Sequence, residues 1–165
     1  MLYYSNNNNN NNRRSDMEIY TDSVCHGNGQ RSASGGVGVN YSGSLSGSRQ
    51  TNQRAELAAI NQAVSQANES ARGYNGRPTV VIKTDSQYSI GSLTKWHHSW
   101  DRNAWVNQAG NPVVNQGLIQ GTLNQIHGSN CDVRFEHVRG HSNNRGNNAA
   151  HNLATQGARN NNRRR

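Results

Sequence analysis

Asp22, Glu56 and Asp85 are three of only nine acidic residues in a chain of 165, and each stands where a carboxylate would serve chemistry. Glu18-Ile19-Tyr20-Thr21-Asp22-Ser23 is rich in β-branched and aromatic residues and reads as a strand, with Asp22 at its carboxyl end. Ser23 and the glycines beyond, Gly27 and Gly29, break that pattern. A carboxylate at the end of a central strand points into a crevice and not into the core. Glu56, in Gln53-Arg54-Ala55-Glu56-Leu57, and Asp85, in Val80-Val81-Ile82-Lys83-Thr84-Asp85-Ser86, occupy settings from which they can meet it. Three converging carboxylates repel unless cations lie between them, so the economical reading is a divalent-metal site.

The elements that position these acids follow from patterning. After the first strand, Cys25 to Gly36 reads as a Gly/Ser-rich loop. Gly36 to Tyr41 alternates as a second strand, Ser42-Gly43-Ser44 is a turn, and Leu45 to Gln50 is a third strand completing a meander. Thr51, Asn52 and Gln53 offer N-cap residues for a helix running to about Arg72, with Leu57, Ile60, Val64 and Ala67 on its apolar face. Glu56 lies in the first turns of that helix, toward the sheet. Thr79 to Thr84 is the most strongly β stretch in the chain, a strand buried on both faces. Helical spacing then covers Ser86 to Thr94 and, after a Trp-bearing section (Trp96, Trp100, Trp105), Asn115 to His127. Cys131 to Val138 alternates as a last strand. A loop from Arg139 to Gly146 leads to a terminal helix, Asn147 to Ala158. The expected fold is α/β: three antiparallel meander strands plus two helix-linked strands in a five-stranded mixed sheet flanked by helices.

Composition sets the outer limits. Residues 6–12 are seven consecutive asparagines followed by Arg13-Arg14, and the other end reads Arg159-Asn160-Asn161-Asn162-Arg163-Arg164-Arg165. Neither stretch can bury apolar surface, so residues 1–16 and 159–165 are expected to be disordered tails around one domain, 17–158. The net charge of +8 favours a polyanionic partner, nucleic acid first. Fifteen of the cationic residues are arginine and two are lysine, which suits bidentate phosphate contact. Six of those arginines lie in the tails, a non-specific electrostatic tether. Cys25 and Cys131 have no metal-ligand spacing and read as free thiols in a reducing compartment. Mean hydropathy is −1.01. With no membrane-length apolar run and no signal-peptide core, the expectation is a soluble intracellular protein, compartment open.

In order and with matching spacing, five segments resemble the type 1 ribonuclease H family, closest to its eukaryotic branch. They are Tyr20-Thr21-Asp22; Arg49-Gln50-Thr51-Asn52-Gln53-Arg54-Ala55-Glu56-Leu57; Thr84-Asp85-Ser86-Gln87-Tyr88; Thr94-Lys95-Trp96 with Trp100 and Trp105; and Val138-Arg139-Gly140-His141-Ser142. The resemblance spans residues 18 to 158. It implies a ribonuclease H-like fold and cleavage of the RNA strand of RNA–DNA hybrids by two Mg²⁺ or Mn²⁺ ions, about 3.5–4 Å apart in such sites. In that scheme Asp22 bridges the ions, while Glu56 and Asp85 hold the one at the leaving group. His141 falls on a loop histidine that assists proton transfer or product departure, a task suited to a near-neutral pKa.

Substrate contacts carry over in the same way. Arg49, Thr51 and Asn115 match a pocket for a DNA-strand phosphate. Trp96 and Trp100, with Tyr88 beside them, match an aromatic wall along the deoxyriboses. Asn28, Asn52 and Gln53 match readers of RNA 2′-hydroxyls. Trp105 is expected in the core, and His26, His97, His98, His127 and His137 match no role. The expected partner is an RNA–DNA hybrid, bound by a monomer.

Three departures qualify the match. Where the family has Gly-Asn-Glu-x-Ala-Asp-x-Leu-Ala, this chain has Gly146-Asn147-Asn148-Ala149-Ala150-His151-Asn152-Leu153-Ala154. The fourth acid is therefore His151. As a metal ligand, an imidazole suits Mn²⁺ or Zn²⁺ better than Mg²⁺, which implies weakened Mg²⁺ activity. Ser23 replaces a glycine at an expected sharp turn, and the lysine-rich loop after Trp100 reads Asp101 to Asn107. A catalytically impaired protein that keeps the fold to bind nucleic acid is the alternative reading, and a nuclease acting on RNA duplex or single strand is a third.

Overall fold

The computed structural model describes residues 17–25, 33–37, 41–44, 51–140, 148, 151, 152 and 155. Its sheet has the strand order β3-β2-β1-β4-β5, where β1 is Met17–Cys25, β2 Ala33–Val37, β3 Tyr41–Ser44, β4 Thr79–Thr84 and β5 Asp132–His137. β2 runs antiparallel to both β1 and β3. β1, β4 and β5 run parallel. Helix α1 (Asn52–Ala71) connects β3 to β4. Between β4 and β5 come α2 (Gln87–Gly91), a wide π-type turn (Ser92–Trp96), α3 (His97–Arg102) and α4 (Gln116–His127).

α1 forms because its sequence supplies both a start and a face. Thr51 is extended, and its hydroxyl accepts a hydrogen bond from the Arg54 N–H, satisfying one of the four orphan donors of the first turn. Leu57, Ile60, Ala63, Val64 and Ala67, all fully buried, make one stripe. That stripe meets Ile19, Val80 and Ile82 of the sheet and Ile119 and Leu123 of α4 in a single core. Trp105 belongs to this core, as expected from sequence. On β4, Lys83 stands 2.9 Å from Glu18 and 3.5 Å from Glu136, tying three strands together. Burial pulls the Lys83 pKa down, but the hydrogen bond and charge of Glu18, with Tyr20 and Glu136, outweigh it and hold the pKa above its ordinary value.

Several expected boundaries move. β1 does not end at Asp22: it continues to Cys25, with Asp22 opposite Gly36 and Ser23 opposite Gly35. Ser23 is therefore a paired strand residue and not a turn. Ala33 to Gly36, expected in a loop, is most of β2, and the expected turn Ser42-Gly43-Ser44 lies within β3. These glycine- and serine-rich stretches have little strand propensity of their own, and pairing with β1 imposes the conformation. The helix expected to stop at Thr94 persists through the π-type turn to Arg102. The expected strand at 45–50 and both tails lie outside the described residues.

Candidate metal and nucleic-acid site

The crevice follows from strand register. β1 and β4 pair from Met17 opposite Val80 to Tyr20 opposite Lys83, after which β1 pairs with β2. Asp22 lies two residues past Tyr20, and Asp85 two past Lys83. Asp22 still belongs to β1, whereas Asp85 is the first residue past β4, so both stand at the same end of the paired strands. The turn after β4 is fixed by its own side chains. Thr84 Oγ1 accepts from the Ser86 N–H, and Ser86 Oγ caps α2 by accepting from the Ser89 N–H. Glu56 is delivered by the start of α1, itself set by the Thr51 cap.

Ligand oxygens of Asp22, Glu56 and Asp85 lie within 4.8 Å of one another, and among the described residues this is the one group able to hold a metal ion. Asp22 is buried, with 6% of its surface exposed. Like charges gathered there are costly without compensation. An all-oxygen donor set suits a hard divalent cation, so the residues present fit one.

His151 lies outside that trio. Its Nδ1 stands 2.8 Å from Asp22 Oδ2, a contact that joins residues 129 apart in sequence. Asn148, His151, Asn152 and Thr155 are helical. This places the imidazole against Asp22, to which it donates through Nδ1–H when that nitrogen carries the proton.

The described substrate candidates lie at the start of α1 and in the stretch from α2 to α4. Asn52 and Gln53 are exposed in the first turn of α1, beside the Thr51 cap. Asn115 precedes α4 in a left-handed conformation, φ 63°. Its Nδ2 is buried, with no hydrogen-bond partner among the described residues, as befits a donor kept for a ligand. Tyr88, Trp96, Trp100 and Trp105 form a line of tilted rings with successive centroids 6.0, 6.1 and 5.8 Å apart. The line runs from exposed Trp96 to buried Trp105. The Tyr88 hydroxyl donates to the Val114 carbonyl, tethering the line to the segment before Asn115. Asn28, Arg49 and His141 lie outside the described residues.

Sequence reasoning missed two glycines. A Cβ at Gly140 would overlap the Asp85 carboxylate, so this position lets the backbone after β5 close onto a ligand. Gly140 was legible as part of the Val-Arg-Gly-His motif, without its role. Gly91 had no signal at all.

The chain matches the ribonuclease H family model over residues 14–159. It is 35% identical over 147 residues to ribonuclease H1 of Homo sapiens, covering 85% of this chain and 49% of that protein. It is 37% identical to ribonuclease H of Schizosaccharomyces pombe, covering 85% and 52%. The chain thus spans about half the length of these relatives. Against ribonuclease H of Mannheimia succiniciproducens it is 34% identical, covering 89% of this chain and 90% of the other. Among solved structures, a type 1 RNase H with the type 2 active-site motif superposes with a TM-score of 0.65 at 27% identity, covering 87% of this chain and 72% of that one. A foamy viral protease-reverse transcriptase in complex with RNA/DNA hybrid gives 0.67 at 25% identity, covering 86% and 20%. On its fold, its carboxylate trio and these matches, the chain belongs to the ribonuclease H family.

Proposed function

We propose that this protein hydrolyses the RNA strand of RNA–DNA hybrids, with Asp22, Glu56 and Asp85 holding divalent cations, Mg²⁺ or Mn²⁺. The observation that carries this reading is the convergence of the three carboxylates beside a buried Asp22 in a chain of this family. The names of its relatives and the hybrid-bound viral structure support the same substrate. When bound, the cations supply Lewis acidity at the scissile phosphate and lower the pKa of the attacking water. Asp22 is common to both sets of contacts, close to Glu56 and Asp85 and in contact with His151. His151 orients Asp22 and serves as the fourth ligand group, in place of a carboxylate.

Around that centre, Thr51, Asn115 and Arg49 hold a phosphate of the DNA strand. Trp96 and Trp100 present flat rings to deoxyribose, where a 2′-hydroxyl fits poorly, and Tyr88 braces them. Asn28, Asn52 and Gln53 donate or accept at RNA 2′-hydroxyls, and His141 moves a proton or assists product departure. The arginine-rich ends beyond the 17–158 domain add salt-sensitive affinity. The working unit is a monomer, and no helix among the described residues is long and apolar enough to cross a membrane.

A second reading, that of a binding protein with an impaired site, is favoured by one observation. An imidazole, not a carboxylate, contacts Asp22. Strand-specific cleavage separates the readings. End-labelled hybrid, RNA duplex and DNA duplex are incubated in parallel with Mg²⁺ or Mn²⁺. Cleavage confined to the RNA strand of the hybrid is expected. Equal attack on RNA duplex would refute the substrate assignment, and hybrid binding without cleavage would favour the second reading.

A further inference from the structure

We propose that Gly91 is a positioning residue for Trp96, setting how the exposed indole meets the DNA strand and hence how well the site separates hybrid from RNA duplex. The proposal rests on the substrate reading above and adds a residue to it. Gly91 has φ −58° and ψ −43°, right-handed helical values that any residue adopts. Its backbone therefore has no need of glycine, and a glycine inside a helical run costs stability. The space explains it. A Cβ at position 91 would stand 2.6–2.8 Å from the Cζ2, Cη2 and Cε2 atoms of Trp96. The ring lies directly on the glycine, and nothing larger fits beneath it.

The π-type turn brings the ring there. Its extra residue per turn rotates Trp96 relative to an α-helical course, and such turns recur at functional sites. The turn is pinned from both sides. Ser92 and Leu93 are buried, the Thr94 hydroxyl donates to the Ile90 carbonyl at 2.7 Å, and His97 Nδ1 lies 3.1 Å from the Ser92 carbonyl. With its backbone held, Trp96 keeps 44% of its surface exposed and leans on Tyr88 and Trp100. A methyl group at position 91 must then be relieved by moving the indole, because the exposed ring is freer to yield than the pinned backbone.

Gly91→Ala thus separates stability from recognition. Better helix propensity raises the Tm, by about 2–4 °C. The Trp96 indole N–H resonance shifts and its acrylamide quenching rises. Hybrid affinity weakens about fivefold or more while the saturating single-turnover rate holds within about twofold, since a stacked aromatic contributes to binding on this scale. Discrimination against RNA duplex falls. In a Trp96→Ala background Gly91→Ala has no further effect on hybrid affinity, the signature of action through one partner. An unmoved indole resonance overturns the proposal, as does equal weakening with and without Trp96. A protein that binds no hybrid at all sinks the substrate reading instead, and the indole resonance alone then decides the positioning role.

Discussion

His151→Asp should turn the site toward Mg²⁺. The imidazole lies 2.8 Å from Asp22, whose side chain is 9% exposed, so the replacement adds a negative charge beside a poorly solvated carboxylate. At an effective dielectric near 20, a unit charge about 4 Å from a divalent ion gains about 8 kcal/mol before any desolvation. Dehydration of the new carboxylate and its repulsion from Asp22 remove most of that gain. Groups that tune metal ligands usually shift affinity by about 10–100-fold. The Mg²⁺ concentration for half-maximal cleavage should therefore fall by about tenfold or more. A wild-type preference for Mn²⁺, expected of an imidazole donor, should shrink toward parity. Without metal the same variant should melt earlier than wild type, because two carboxylates then face each other, and Mg²⁺ should restore its Tm. Cleavage of labelled hybrid across a Mg²⁺ series, paired with melting curves, reads both effects. Equal wild-type rates in the two metals, with no change in Mg²⁺ dependence on substitution, would refute the ligand role of His151.

Two further perturbations test the scaffold. Burial, first, and the neighbouring charge of His98 and of His127 lower the His97 pKa, against the opposing Ser92 carbonyl and Asp101. The folded state thus favours neutral His97, and its contribution is complete above the unfolded value of about 6.5. It is lost as pH falls from there through the lowered folded pKa, because the unfolded chain takes up the proton first. Urea midpoints from pH 8 to 5 should decline in wild type more steeply than in His97→Gln, and parallel curves would reject the assignment. Ala104, exposed between α3 and α4, has φ 48°, a left-handed conformation that costs an L-residue about 1–2 kcal/mol. Ala104→Gly should raise the Tm by a few degrees, after subtracting the added freedom of the unfolded chain, whereas a lower Tm would contradict the strain.

What could be read without coordinates was set by how local each signal is. α1 came within a residue at either end because its cap, Thr51, and its stripe from Leu57 to Ala67 are contiguous in sequence. β4 was equally plain from Val80-Val81-Ile82. β2 and β3 were misplaced because Gly35, Gly36 and Gly43 carry no strand preference. Only their ladder partners make them strands. The helical stretch after Asp85 was cut short because the π-type turn inserts a residue and breaks the apolar spacing. The site residues Asp22, Glu56 and Asp85 were legible by motif, yet their meeting depends on register between distant strands. The contact of His151 with Asp22 and the seat of Trp96 on Gly91 are products of tertiary packing, and no spacing rule announces them.

The most direct test is cleavage of an end-labelled RNA–DNA hybrid by wild-type protein and by Asp22→Asn protein purified in parallel, in Mg²⁺ and in Mn²⁺. RNA-strand cleavage by wild type, falling by about 100-fold or more in the variant while hybrid binding persists, is the predicted result. Undiminished cleavage by Asp22→Asn, or none by wild type in either metal, would contradict a carboxylate-held metal centre as the seat of activity.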